Sequence, residues 1–394
     1  MQLAAYVHPF DLEAMRVDGG LQRLVDLGIH ELSLATSYHD GRWLVPWHPL
    51  KRVRFLEDGT LHFRPKQLEP FGALQPKTSS QIQPGLPSPL ETLCGEAAGL
   101  GLRVRAWTVF GHNSRLGAQH LDACVENAHG DRYPYALCPS QSSVQRHHVA
   151  MVRELAAHDG LQTIELEALG QMGIQHSSHH DKKSFEPKGL LGFALSSCFC
   201  SACLEVHARL GQDGDAVRSR VRAIVDGVVT SGDAMAPAAV PMGPAELDDA
   251  QRAATEAVLA VRRTVAGELA AAVVGASGKL ARAVQVHPDP WFTGSQLAVA
   301  AAASFPAPDE RVLTCYGQSP DQIQSLLQHG GMVGVGSSPR RLCIWPKAPQ
   351  FASDQDLAKT RDLCAQHRIA SLAIYHLGLL PWRTIERVCR MVQA

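Results

Sequence analysis

The feature that most restricts the fold of this chain is a regular alternation of short apolar, β-branched runs with stretches of helical pattern. This order predicts a parallel sheet, because parallel neighbours need a crossover, usually a helix, between them. Eight such runs occur, and eight parallel strands close into a barrel. We expect strands at Gln2–Val7, Glu31–Thr36, Arg103–Val109, Thr163–Leu169, Leu280–Val286, Arg311–Tyr316, Arg341–Trp345 and Ser371–Tyr375.

Helix signals fall between these runs. Ser88-Pro89-Leu90-Glu91 is a capping box with proline at the first helical position, and Ser319-Pro320-Asp321-Gln322 repeats the device. Pro381 precedes a third helical pattern, Trp382–Val392. Together with the strands, these signals predict an α/β fold, a single (β/α)8 barrel domain over residues 1–394.

Three stretches are too long for ordinary connections and are predicted to be insertions or lids. They follow strands two and four and precede strand five, where the segment is largely helical: 37–87, 171–197 and 211–278. In the first insertion, Glu57-Asp58-Gly59 predicts a hairpin turn between Val53–Leu56 and Thr60–Phe63.

The charge balance excludes several classes of partner. Lys and Arg number 37, Asp and Glu 38, and the net charge is -1, so nothing favours nucleic acid or an anionic membrane. No apolar run approaches the ~18 residues of a membrane span, and the first eight residues lack a signal peptide's basic region. We therefore expect a cytoplasmic protein with a small, roughly neutral ligand and no organic cofactor; a homo-oligomer is compatible with the sequence.

Polar and titratable side chains stand where the predicted strands end, which is where barrel enzymes place their active sites. Strand interiors, in contrast, are mostly Val, Leu, Ile and Ala. The alternative is that exposed loop starts are simply polar. The residues at the strand ends are His8, Tyr38, His39, His112, Glu165, Glu167, His287, Asp289, Cys315, Tyr316, Lys347, Tyr375 and His376.

Glu165 and Glu167 are two apart on one strand, so their side chains point to the same face. A glutamate facing the helices would be buried beside apolar groups, so the pair is predicted to point into the barrel. Glu167 then reaches the mouth, where partial burial would raise its pKa and suit a general acid. Glu165 lies one layer deeper, with pairing to Arg105 on the neighbouring strand as the structural alternative.

Three cysteines are closely spaced in Cys198-Phe199-Cys200-Ser201-Ala202-Cys203, which suits metal ligation better than disulfides. A structural zinc needs four ligands, and Cys138 is the best fourth. The alternatives are His207 as the fourth ligand, or no metal at all. A zinc here would be closed and structural, holding the loops after strands three and four together.

A second cluster, His176-Ser177-Ser178-His179-His180-Asp181, lies in the insertion after strand four. Histidines three or four apart come together on a helical turn and can bind a catalytic metal. The segment is equally consistent with a solvated loop or with a set of donors to sugar hydroxyls.

The order Cys138-Pro139-Ser140, Glu165-Leu166-Glu167 and the cysteine knot resembles part of the zinc-containing bacterial β-galactosidases and related barrel glycosidases. The resemblance covers about a sixth of the chain. It implies Glu167 at the acid/base position, the four cysteines as zinc ligands and a sugar subsite lined by aromatic and histidine side chains. Two positions depart from the pattern: Leu166 replaces an asparagine, and no carboxylate ends strand seven, where Lys347 follows Trp345.

The sequence thus suggests a glycosidase for a small oligosaccharide or glycoside, which needs two carboxyl groups ~5 Å apart for retention or ~6.5–9.5 Å apart for inversion. With Glu167 as the acid, Asp289 is the first choice of partner, followed by Asp40, Asp181 and Glu165. Rings for stacking are Trp291, Tyr38, Tyr316 and Trp345, and further sugar contacts are His8, His39, His112, His176, His179, His180, His287, Lys347, Tyr375 and His376. The alternatives are a metal-dependent hydrolase or isomerase using the His176–Asp181 cluster, and a barrel that only binds carbohydrate.

Overall fold

The computed structural model describes residues 1–16, 20–49, 51–174, 182–183, 186–231, 239–298, 304–305, 308–328 and 338–393. Parallel strands pair in chain order, and the first pairs with both the second and the last, which closes the barrel. The predicted (β/α)8 fold is therefore confirmed, with strand ends shifted by at most one or two residues. The strands are β1 Gln2–Val7, β2 Ile29–Tyr38, β3 Arg103–Val109, β4 Thr163–Glu167, β5 Ala281–His287, β6 Glu310–Cys315, β7 Arg340–Ile344 and β8 Ser371–Ile374.

Helices follow the strands and fill most of the third insertion. The predicted starts at Ser88 and Ser319 are confirmed: the Glu91 carboxylate accepts from Ser88 N at 2.6 Å, and the Gln322 side chain accepts from Ser319 N at 2.8 Å. No helix within the described ranges combines the length and the apolar character needed to cross a bilayer. The α-helices are Pro9–Met15, Gly20–Asp26, Pro89–Ala98, Ser114–Gln119, Ser142–Ala156, Gly189–Leu195, Ser201–Arg209, Gly214–Val229, Asp249–Ala276, Pro320–Gln328, Asp354–Gln366 and Trp382–Gln393.

The hairpin predicted in the first insertion is wrong in its pairing. Val53–Leu56 pairs antiparallel with Gly41–Leu44, whereas Thr60–Leu61 pairs with the end of β2. The reason is that β2 runs beyond the barrel and offers an open edge to the chain as it leaves Gly59, whose N–H donates to Tyr38 O at 3.0 Å. The real hairpin therefore joins Gly41–Leu44 to Val53–Leu56, and it places Trp43 over the barrel mouth, within hydrogen-bond distance of His376.

Buried apolar side chains form two main layers. Leucine, isoleucine and valine fill the space between the strands and the helices around them. The barrel interior is lined instead by alternating small and aromatic side chains, including Ala4, Tyr6, Trp107 and Cys343. This alternation leaves room along the barrel axis for polar side chains at both ends.

A buried ion network closes the N-terminal end of the barrel. Arg105 contacts three carboxylates, with distances of 2.9 Å to Glu31, 3.0 Å to Glu165 and 2.6 Å to Glu310. Arg341 contacts Glu31 at 2.7 Å and Glu310 at 3.3 Å. The ion pair between Glu165 and Arg105, given above as the structural alternative, is therefore present.

Candidate active site

Glu165 points into the barrel and is fully buried. Its carboxylate accepts hydrogen bonds from Tyr6 Oη at 2.5 Å, Gln285 Nε2 at 2.8 Å and Arg105 Nη1 at 3.0 Å. These three donors come from β1, β5 and β3, so they fix the carboxylate from several sides. A carboxyl group engaged by three donors is poorly free to attack a substrate.

Glu167 lies two residues further along β4, closer to the mouth, and is 7% exposed. It accepts hydrogen bonds from Trp107 Nε1 and, at 3.2 Å, from the same Gln285 amide that contacts Glu165. Burial raises the pKa of the Glu167 carboxyl to about 7; the hydrogen bond from Trp107 opposes this shift, and the nearby Glu165 adds to it. Near neutral pH the group can therefore either give or take a proton, as general acid–base catalysis requires.

Aromatic rings surround Glu167 at the mouth. Tyr38 and Tyr6 each have a ring centroid 5.0 Å from that of Trp107, both edge to face. Tyr316 and Tyr375 stack at 4.0 Å, and the hydroxyls of Tyr38 and Tyr375 are 3.2 Å apart. The structure thus brings together the predicted residues Tyr38, Tyr316 and Tyr375 and gives the site an apolar wall with hydroxyl groups.

His8 lies among these rings and is completely buried. Its ring centroid is 4.7 Å from that of Tyr38 and 4.9 Å from that of Trp43, and neither ring nitrogen has a hydrogen-bond partner among the residues that the structure describes. Burial lowers the pKa of His8 well below its usual value, and His376 lowers it further. A neutral imidazole with both nitrogens available can accept from one hydroxyl and donate to another.

His376 is oriented by its neighbours. Trp43 Nε1 donates to His376 Nε2 at 3.0 Å, so the proton of the neutral ring belongs on Nδ1, which lies 3.8 Å from the Asp11 carboxylate. Burial lowers the pKa of His376 to about 3 and raises that of Asp11 to about 8. The sequence analysis missed both Asp11 and Trp43. For Asp11 the usable signal was its place three residues after His8, where its carboxylate caps the His8 N–H at 2.7 Å.

A row of stacked rings leads away from the central group. The centroid of His39 lies 4.3 Å from that of Tyr38 and 4.2 Å from that of His112, with interplanar angles of 29° and 26°. Both histidines were predicted as sugar contacts. They line one side of the mouth rather than its centre.

The predicted residues after β5 do not join this group. Trp291 is 2% exposed and packs on Phe193 in a separate apolar cluster, with ring centroids 5.7 Å apart. His287 stacks on Phe292 at 3.9 Å. Asp289 is exposed, and its carboxylate accepts from Trp291 N at 2.8 Å, which caps the local turn.

The residues after β7 contribute unequally. Trp345 contacts Tyr375 edge to face at 5.8 Å, whereas Lys347 Nζ lies 3.2 Å from the centroid of Trp345, in a cavity shared with the last helix. Within the barrel, β7 presents Cys343, whose thiol points to Tyr316 Oη at 3.8 Å. Burial raises the pKa of that thiol well above its usual value, which disfavours a thiolate nucleophile. The predicted His176, His179, His180 and Asp181 lie outside the described residues.

The four predicted cysteines come together in one buried group. All four sulfur atoms lie within 4.8 Å of one another, and Cys138 Sγ is 3.6–3.7 Å from each of the other three. A tetrahedral site with zinc–sulfur distances of ~2.3 Å has sulfur–sulfur distances of ~3.8 Å, so the arrangement fits such an ion. His207, the alternative ligand, instead has its Nδ1 2.6 Å from Gln212 Oε1. None of the ten cysteines, all within the described residues, forms a disulfide.

Fold and site together define a (β/α)8 barrel with a buried carboxyl of raised pKa among aromatic rings at its C-terminal mouth. No protein-family model matches the sequence, and no curated protein matches it. Among solved structures, the chain is similar to the catalytic domain of a β-amylase from Paenibacillus polymyxa, with a TM-score of 0.55, 9% identity and coverage of 99% of this chain and 97% of that one.

Two further solved structures are similar. The glycoside hydrolase domain of PgaB (BpsB) from Bordetella bronchiseptica has a TM-score of 0.53 and 10% identity, over 98% of this chain and 95% of that one. A β-galactosidase from the psychrophilic Marinomonas ef1 has a TM-score of 0.53 and 10% identity; all of this chain is covered, but it spans only 59% of the galactosidase. These neighbours are glycoside hydrolase barrels, and at such identity the likeness shows the fold alone.

Proposed function

We propose that this chain is a glycoside hydrolase in which Glu167 is the general acid/base. The observation that carries the proposal is the position of Glu167 at the end of β4, nearly buried, with its pKa raised to about 7. A carboxyl that is protonated near neutral pH can protonate a leaving oxygen, which is the first requirement of glycoside cleavage.

The surrounding side chains suit a sugar ring. Trp107, Tyr38 and Tyr375 offer apolar ring faces, and the two tyrosines add hydroxyl groups. The two ring nitrogens of His8 have no partner in the described part of the chain. Sugars bind to proteins through this combination of ring faces and hydrogen bonds to hydroxyls. We assign Tyr38, Tyr375, Tyr316, His8 and His376 to the central subsite. His39 and His112 form its side wall.

Two groups are candidates for the second carboxyl: Glu165 on β4 and Asp289 just after β5. Glu165 is engaged by three donors, which favours a supporting role. Asp289 is exposed just after β5, the strand that pairs with β4. It stays our proposed partner because it follows the strand next to β4.

We also propose that Cys138, Cys198, Cys200 and Cys203 hold a structural zinc ion. Four buried thiol groups with the spacing of a tetrahedron leave no open position for a substrate, so the ion would hold the loops after β3 and β4 rather than take part in chemistry. Purified protein should contain one zinc per chain by mass spectrometric metal analysis, and Cys200→Ser should lower that content and the melting temperature together. Wild-type protein purified without metal supplementation and containing no zinc would contradict this assignment.

The catalytic proposal is tested with a panel of aryl glycosides. Glu167→Gln should lower kcat/KM by about 10²–10⁴-fold for substrates with poor leaving groups, and less for activated ones that need no protonation. The pH limb near 7 should disappear in this variant. Glu268→Gln, on an exposed helix face and paired with Arg209, is the control and should behave as wild type. Unchanged kcat/KM in Glu167→Gln would remove Glu167 from the acid role.

One observation favours a second candidate, a barrel that only binds carbohydrate. No carboxylate ends β7: the strand presents Cys343 to the barrel interior, and Trp345 follows it. Calorimetric titration with the same sugars separates the two. Binding without turnover of any glycoside in the panel would support this second candidate, whereas turnover that depends on Glu167 would exclude it.

A further inference from the structure

A buried arginine outside the site lacks the partners that a buried charge needs. Arg262 lies in the middle of the long helix Asp249–Ala276 and is 8% exposed. Its Nη2 donates to Ser196 O at 3.3 Å, and its guanidinium carbon lies 4.4 Å from the centroid of the Phe193 ring. Nε and Nη1 donate to no group of the described protein. Burying a cation and two of its N–H groups without acceptors costs several kcal/mol.

No carboxylate of the described residues forms an ion pair with this guanidinium. The strongest electrostatic attractions on the guanidinium come from the thiol groups of Cys198 and then Cys203. Asp289 attracts it more weakly, and that carboxylate already accepts a hydrogen bond from Trp291 N. Burial lowers the pKa of Arg262 to about 10, so the group stays positively charged at neutral pH.

Arg262 faces a small cavity between the long helix and the loop that follows β4. The cavity has a volume of about 30 Å³ and is lined by both apolar and polar groups, among them Ser140, Gln171, Phe292 and Gln296. One buried water needs ~10–15 Å³ on this scale, so the space takes one or two groups of that size and excludes a sugar ring. Its small size and the positive guanidinium together select a compact anion.

We propose that this cavity is a binding site for a monovalent anion of the size of chloride, held by the Nε and Nη1 groups of Arg262. The anion supplies acceptors for both N–H groups and places a negative charge in direct contact with the guanidinium. The polar side chain of Gln296 lines the same cavity.

The position of this site links it to β4. Leu169, Gly170 and Gln171 form one wall and continue the strand directly beyond Glu167. On another wall, Gln296 follows Ser295, whose backbone carbonyl accepts from Ala168 N at 2.6 Å. A bound anion therefore stabilises the segment after β4 and the Ser295–Gln296 loop, which together hold the end of β4 that carries Glu167. This inference does not rest on the proposed glycosidase activity.

The test measures binding of halide to the whole protein, independently of turnover. The ³⁵Cl resonance of sodium chloride should broaden in a saturable way with wild-type protein, and bromide should reverse the broadening. Arg262→Met should abolish the saturable part. Arg263→Met, at the next position of the same helix with a 40% exposed side chain, should retain it. Equal broadening in both variants, or none with wild type, would overturn the proposal.

Two measurements on the wild type keep the proposal testable should Arg262→Met fail to fold. At constant ionic strength, chloride and bromide should raise the melting temperature by several degrees relative to gluconate, which is too large for the cavity. Crystals grown in bromide should show anomalous density beside Arg262. An equal melting temperature in all three salts, or bromide only at surface positions as an adventitious ion, would contradict the site.

Discussion

The two ends of the barrel differ in whether their buried carboxyl groups are paired with cations. At the N-terminal end, Arg105 and Arg341 share three carboxylates, and although burial alone would raise the pKa of Glu31, these two guanidinium groups lower it. At the mouth, burial raises the pKa of Glu167 to about 7, and no cation of the described ranges contacts it. One end is compensated within the protein and stabilises the fold. The other is left uncompensated, as is usual for a site that must act on a ligand.

Glu165 joins the two ends. It accepts from Arg105 of the network and from the Gln285 amide that also contacts Glu167. The same residue therefore anchors the mouth to the compensated end. This explains why two glutamates on one face of β4 have such different surroundings.

The largest effect is expected from breaking the compensated end. Arg105→Met leaves Glu31, Glu165 and Glu310 without their shared cation, and removing one partner of a buried ion pair costs about 3–5 kcal/mol. Urea denaturation should show a loss of that size. Arg103→Met is the matched control, since Arg103 is 44% exposed and lies 3.5 Å from Glu31, so it should lose less than about 1 kcal/mol. Similar losses in both variants would show that burial does not decide the strength of these pairs.

A smaller effect, a gain in stability, is expected when the buried Glu167 carboxyl group at the mouth is replaced by an amide. The folded pKa of Glu167 lies above its unfolded value of 4.5, so the folded state holds the extra proton, and stability falls as pH rises from about 4.5 to 7. Glu167→Gln removes this penalty. The free energy of unfolding of the variant, relative to wild type, should rise by at most about 3 kcal/mol over that window. Above pH 7 the difference should stay constant. Urea denaturation at several pH values measures the difference.

Glu31→Gln provides the contrasting variant for this experiment. The pKa of Glu31 is lowered in the folded state, so its stabilisation is present above the unfolded value and is lost as pH falls through the folded pKa. Glu31→Gln should therefore be less stable than wild type at pH 7 and approach it in acid. Parallel pH dependence in the two variants would disprove the contrast between the two ends.

The sequence predicted the barrel well because strand and helix signals are local. Capping boxes at Ser88 and Ser319 and the period-two pattern of β4 depend only on nearby residues, and so does the common face of Glu165 and Glu167. The cysteine cluster was also predictable, because three of its four members are within six residues.

The mouth was predicted less completely, because its shape depends on contacts between distant segments. Trp43 reaches His376 only because Gly41–Leu44 pairs with Val53–Leu56, and the sequence indicated a different hairpin. Trp291 is an aromatic residue of the kind that stacks on sugars, but it is buried against Phe193 of the second insertion, in a cluster completed by the helices of the third. Such outcomes depend on which of several apolar surfaces cover each other, and no local pattern encodes that choice.

The smallest expected effect tests how far this hairpin orders the mouth. Trp43→Phe keeps an aromatic ring but removes the N–H that His376 Nε2 accepts at 3.0 Å, leaving a buried acceptor unpaired at a cost of about 1–2 kcal/mol. Trp47→Phe is the control, because Trp47 Nε1 donates at 3.2 Å to a backbone carbonyl, Leu377 O, in a partly buried position. If His376 contacts the sugar, Trp43→Phe should raise KM more than it lowers kcat, since the loosened ring binds the ligand less well before and during reaction alike. A fall in kcat at constant KM would instead mean that the hairpin affects proton transfer at Glu167. Trp43 and Glu167 would then be coupled, although no hydrogen bond among the described residues joins them directly.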